Sequence, residues 1–105
     1  MITDRELLEL AAKAAGVDLY GMSYMKGNYF YGNNRSFEPL TDDGSALRLG
    51  VKLGIWIGHH EDGVTTSDTY SRFDGAIEED YGSDPYAATR RCIVRAAAAI
   101  GEKMP

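Results

Sequence analysis

Apolar residues follow a helical period at both ends and in the middle of the chain, and a period of two between these blocks. Leu7, Leu10, Ala11, Ala14 and Ala15 share one helical face. Thr3 precedes Glu6 by three residues, the reciprocal capping box, so a first helix is predicted to start there. Gly16, followed by Val17, is its natural stop. In VDLYGMSYMKGNYFYGNNRSF the period shortens. Tyr20, Met22 and Tyr24 then share one strand face, and Tyr29 and Tyr31 another. KGN can turn between them, which predicts a hairpin ended by GNN at 32–34.

EPLTDDGSALRLGVKLG predicts a loop and a second helix, capped by Asp42 or Asp43 and stopped by Gly54. Leu47, Gly50 and Val51 form one face of that helix. Leu49 lies nearly opposite, an apolar residue left for a neighbour to cover. IWIGHHEDGVTTSDTYSRF has strand composition around Asp62-Gly63, a strong hairpin signal, and AIEEDYG adds a short strand.

The third helix opens on Asp84 as N-cap with Pro85 in the first turn. Tyr86, Ile93, Ala97, Ile100 and Met104 fall on one line, with Cys92 and Val94 bounding an apolar arc. Arg91 and Arg95 lie on the opposite face with Glu102, where long charged side chains are ordinarily solvated. Arg90 differs: it falls inside the apolar arc, about a sixth of a turn from its centre. A guanidinium keeps its proton, so burial there demands an anionic or carbonyl partner. Asp42, Asp43 or Glu38 could supply one internally, and a ligand's phosphate or carboxylate could supply one from outside.

These elements predict an α+β fold: a mostly antiparallel sheet of hairpins flanked by three helices, a helix–sheet–helix sandwich. The 105 residues suit a single domain, 1–105, with a small core. The net charge of −5 argues against duplex nucleic acid as partner. It is unevenly spread. Residues 84–105 hold four cations against Asp84 and Glu102, a local +2, so the remainder carries −7. A small anion is acceptable near the third helix, whereas a long polyanion would be repelled. The stretch from Asp74 to Asp84 holds Asp74, Glu78, Glu79, Asp80 and Asp84 and no base, and is expected to be well solvated.

The lone cysteine, Cys92, rules out an intrachain disulfide and reads as a small core residue. No signal-peptide pattern and no run near the ~20 apolar residues of a membrane span is present. A reducing cytoplasm and no membrane partner are therefore expected.

Chemistry-bearing patterns are few. His59 and His60, adjacent on a strand, point to opposite faces and cannot chelate one ion together. No third ligand completes His59 and Glu61, so no metal site is expected. No nucleophile elbow or phosphate loop is present, and no cofactor is expected. Seven tyrosines are many for this length. Cross-strand packing explains a crowded hairpin. The functional alternative is a base-stacking platform of Tyr29, Tyr31 and Trp56. The candidate ligand-binding set is Arg90, Tyr29, Tyr31, Trp56, Asp43 and Arg91, with Asp43 orienting Arg90 or a ribose hydroxyl.

Three segments together, TDRELLELAAKAAG, PLTDDGSALRLGVKLG and AATRRCIVRAAAAIGEKM, resemble small phage and prophage proteins of the NinX-like and phage ABA-sandwich type. Relatives often carry Trp-Asn before Pro-Leu, where this chain has Phe37-Glu38. The resemblance implies a helix–sheet–helix sandwich and a phage accessory gene acting in the bacterial host cytoplasm. Small phage proteins of comparable build include sponges that capture nucleotide immune signals, such as cyclic ADP-ribose variants or cyclic oligonucleotides. They bind without cleaving, and commonly as homo-oligomers. By that analogy the expected function is anti-defence sequestration of a small phosphate-bearing nucleotide, without catalysis. The alternatives are a module that binds a host factor through its acidic surface, and a small phosphodiesterase using His59 or His60.

Overall fold

The computed structural model describes residues 2–31, 35–60, 63–68 and 77–105, with side chains described except at 31, 35, 60 and 64–68. Among the described residues three helices, α1 (Asp4–Ala15), α2 (Asp43–Leu53) and α3 (Pro85–Lys103), alternate with two groups of three strands. β1 (Ser23–Met25), β2 (Asn28–Tyr31) and β3 (Arg35–Phe37) pair in that order, all antiparallel. β4 (Trp56–His60), β5 (Val64–Asp68) and β6 (Ile77–Asp80) do the same. The fold is α+β and antiparallel, built from hairpins and three helices. Each hairpin gains a third strand, so the strands form two sheets of three.

The helix ends follow local chemistry. The Thr3 hydroxyl accepts from the Glu6 N–H while the Glu6 carboxylate accepts from the Thr3 N–H. Asp42, not Asp43, caps α2, accepting from the Ser45 N–H at 2.7 Å. Asp84 caps α3 by accepting from Tyr86 and Ala87. The first hairpin turns on Lys26-Gly27 between Met25 and Asn28, with φ of 51° and 81°. Positive φ at both central residues is the primed geometry that matches strand twist. Tyr20 stands outside the sheet and is 92 % exposed, and its N–H donates to the Asp18 carboxylate.

The core lies between the helices, and α3 is its axis. It buries Ala88, Cys92, Ile93, Val94, Ala96, Ala97, Ala98, Ile100 and Gly101, residues from more than one face. Tyr86 and Met104, expected on the core line, are exposed at its two ends. On one side α1 contributes Leu7, Leu8, Ala11, Ala12 and Ala15. Its buried stripe is shifted from the expected one: Leu8 and Ala12 go inside, while Leu10 and Ala14 stay partly buried at the edge. α2 buries Ala46, Leu49, Gly50 and Leu53, itself a helical spacing, and exposes Leu47 and Val51. The expected faces are thus reversed: Leu49 is core, and Leu47 and Val51 are the apolar residues left over. Gly50 faces Ile93 across this contact. β5 and β6 lie against α3, where the Cys92 thiol donates to the Ile77 carbonyl at 3.1 Å. Tyr29 and Phe37 carry the first sheet into the core.

Alanines let α1 and α3 approach closely, and Gly101 marks the tightest point. A Cβ there would stand 2.0 Å from the Leu10 carbonyl oxygen. At Gly50 the same atom would meet Ile93 Cγ2 at 3.7 Å, an ordinary contact. Gly101→Ala is therefore expected to destabilise the fold by about 1–3 kcal/mol, because backbone must move. Gly50→Ala is expected to be neutral or stabilising by up to about 1 kcal/mol through helix propensity. Urea unfolding of the two variants checks the difference in sign.

Candidate functional site

Three arginines leave α3 in three directions. The Arg90 Nε donates to the Leu40 carbonyl at 3.0 Å, and its Nη1 meets Asp43 Oδ1 at 2.5 Å. Arg91 forms a forked pair with Asp4, Nη1 to Oδ1 at 3.0 Å and Nη2 to Oδ2 at 3.2 Å. Arg95 reaches β6, donating to the Glu78 carbonyl at 2.9 Å and pairing with Glu79. The solvated face expected for Arg91 and Arg95 is therefore an anchoring face. α3 is packed on several sides, so these two cations meet acids from α1 and β6 while keeping 37 % and 40 % of their side chains exposed. Glu79 correspondingly belongs to an ion pair and not to a solvated acidic surface.

Arg91 is held protonated above the ordinary guanidinium range, first by its hydrogen bond to Asp4, against a smaller opposing effect of burial. A raised folded-state value contributes stability that is full below the unfolded value and lost only as pH climbs through the folded one. The fork therefore holds α1 on α3 at neutral pH. It also commits Arg91 to Asp4 of α1, whereas Arg90 meets residues around the start of α2.

Arg90 has 16 % of its side chain exposed, against 67 % for Asp43. Asp43 lies in the first turn of α2, so the pair ties that turn to α3. It also borders a groove of about 450 Å³ between α2, β4 and α3. From α2 the groove takes Ala46 and Leu47, from β4 Ile57 and His59, and from α3 Tyr86, Thr89 and Ile93. Its lining is mainly apolar, and its size lies within the range of small-molecule sites. The polar groups on it are mostly engaged. The Thr89 hydroxyl donates to the Pro85 carbonyl at 2.8 Å, and His59 Nδ1 lies 3.0 Å from the Tyr81 hydroxyl. Among the described residues, Arg90 Nη2 and Asp43 Oδ2 have no protein partner.

Of the expected aromatic platform, Tyr29 and Trp56 do not line this groove. Tyr29 is 4 % exposed, packs on Tyr24 at 5.2 Å between ring centres, and accepts from Arg5 Nε at 3.3 Å. That hydroxyl is the leading cause of an upward shift at Arg5. A ring so covered has no face for a base, so Tyr29 is a core residue. Tyr31 lies outside the described side chains. Trp56 is 60 % exposed but does not line the groove. Tyr86, Leu47 and His59 were not in the expected set, and the groove brings them to Arg90 and Asp43. One signal for Tyr86 was readable: it falls on the same helical line as Ile93, one residue beyond the Pro85 start. Among the described residues no group of three or more His, Cys, Asp or Glu could hold a metal ion. No described helix is long and apolar enough to cross a membrane.

No protein-family model, curated protein or solved structure matches the chain.

Removing Asp43 leaves Arg90 with the Leu40 carbonyl as its one partner among the described residues. Asp43→Ala is expected to cost about 1 kcal/mol, a figure kept low because the carboxylate is largely exposed. Arg48 approaches Asp42 only to 3.9 Å with most of its side chain in solvent. Arg48→Ala is accordingly expected to stay within about 0.5 kcal/mol of the parent. Denaturant midpoints of the two single variants make the comparison.

Proposed function

We propose that this chain is a non-catalytic binding protein that captures a small phosphate-bearing nucleotide in the groove between α2, β4 and α3. The observation that carries the reading is the groove itself: an apolar slot of about 450 Å³ with a guanidinium on its border that still has donors to offer. Tyr86 supplies an aromatic face, and Leu47 and Ile93 supply apolar cover. The engagement of His59 by Tyr81 and of Arg90 by Asp43 supports holding a ligand over transforming it. With the three phage-like segments, this makes sequestration of a host nucleotide signal by a phage accessory protein the role that fits best.

A second reading has its own support. Leu47, Val51 and Trp56 are each more than half exposed, as is Tyr86. Large apolar residues left in solvent favour contact with another protein surface, including another copy of this chain. This reading differs from the acidic-surface module, since Glu79 is occupied by Arg95.

Native mass spectrometry of the purified chain mixed with mononucleotides, dinucleotides and cyclic nucleotides tests the first reading. A stoichiometric adduct released unchanged on denaturation is expected. Tyr86→Ala should weaken it about tenfold or more, while Tyr29→Phe, altered only inside the core, should leave it intact. Absence of any adduct, or release of a chemically changed ligand, rejects the reading.

A further inference from the structure

We infer that the Arg90–Asp43 pair reads the hydrogen-bonding edge of a guanine base and not the phosphate; this rests on the groove being a nucleotide site. Charge is the first ground. Asp43 Oδ1 lies 2.5 Å from Arg90 Nη1, so the pair is neutral as a unit. A phosphate brought to Arg90 would also approach a carboxylate, and like charges repel at such range. A neutral group gains both partners without that penalty.

The second ground is the pattern of open atoms. The mutual bond uses one terminal nitrogen of Arg90 and one carboxylate oxygen of Asp43. Nη2 and Oδ2 have no protein partner among the described residues. The groove border therefore offers a charged donor beside a charged acceptor. Guanine presents a matching row on one edge: the O6 acceptor, then the N1–H and 2-amino donors. A guanidinium donates to O6, and a carboxylate accepts from adjacent N–H groups, both as charge-assisted bonds. Adenine offers a single donor on the corresponding edge, so half of the carboxylate's capacity goes unused.

The third ground is the slot beside the pair. Ala46, Leu47, Ile57, Tyr86 and Ile93 give a lining suited to the flat face of a base and unsuited to a phosphate. With the base inside, the ribose and phosphate extend toward solvent. The chain's net charge of −5 then meets the phosphate at the mouth, in high dielectric, where repulsion is weakest.

Isothermal titration of the unmodified chain with guanosine, inosine, adenosine, GMP, AMP and ribose 5-phosphate separates the cases. Guanosine and GMP are expected to bind within a few-fold of each other. Inosine, which lacks the 2-amino donor, should bind about 10-fold more weakly, and adenosine more weakly still. Asp43→Asn should erase the preference of guanosine over adenosine. AMP or ribose 5-phosphate binding as well as GMP would overturn this assignment while leaving the nucleotide reading intact. Binding of none of the six compounds, alongside a nucleotide adduct of another kind in native mass spectrometry, would likewise overturn the guanine assignment alone. No binding in either experiment overturns both.

Discussion

The structure depends on how closely α1 and α3 approach. Alanines on both helices and Gly101 opposite the Leu10 carbonyl remove the side chains that would hold them apart. Close backbone approach leaves little room for large apolar groups, so dispersion is collected over a long contact of small residues. An alanine-rich seam buries little area per residue and specifies rotation only loosely. The arginines supply what alanine lacks. Arg91 pins α1 through Asp4, Arg90 pins the start of α2 through Asp43 and Leu40, and Arg95 pins β6 through Glu79 and the Glu78 carbonyl. One helix thus orders three neighbours, each by a directional, charge-assisted contact at a different azimuth.

The groove follows from that arrangement. α2 settles against α3 with Gly50 facing Ile93, Leu49 inward and Leu47 outward. Leu47 then faces the start of α3, where Tyr86 projects into solvent just after the Asp84 cap. The gap between α2 and α3 is closed at the back by Ala46 and Ile93 and at the side by β4. Arg90 sits where these walls meet because the same ion pair that fixes α2 also borders the opening. Structural and recognition roles for that pair are therefore compatible: a pair held by the fold is already oriented before any ligand arrives, which lowers the cost of binding.

On the proposed reading, the same pair also limits what the groove would accept. An arginine whose charge is met by Asp43 is a different receptor from a bare one. It offers direction more than attraction, and it favours groups that present acceptor and donor together. Leu47 and Val51 on α2 and Trp56 at the start of β4 are each exposed apolar residues.

Much of the local structure was legible in the chain. The capping box at Thr3, the glycine stops at 16 and 54, the Asp84-Pro85 start and the KGN turn are short-range chemistry, decided within a few residues. The need of Arg90 for a partner was legible too, because a guanidinium on an apolar arc has no other stable state. Position along the chain could not say which partner it would find, since Asp43 is forty-seven residues away. Nor could it say that α3 is enclosed on several sides, which makes anchors of Arg91 and Arg95. The rotation of α2, the burial of Tyr29 and the meeting of Tyr86, Leu47 and His59 around one groove are likewise products of packing. Periodicity reports which residues share a face of one element. Only the neighbours brought up in three dimensions decide whether that face meets solvent, core or a ligand.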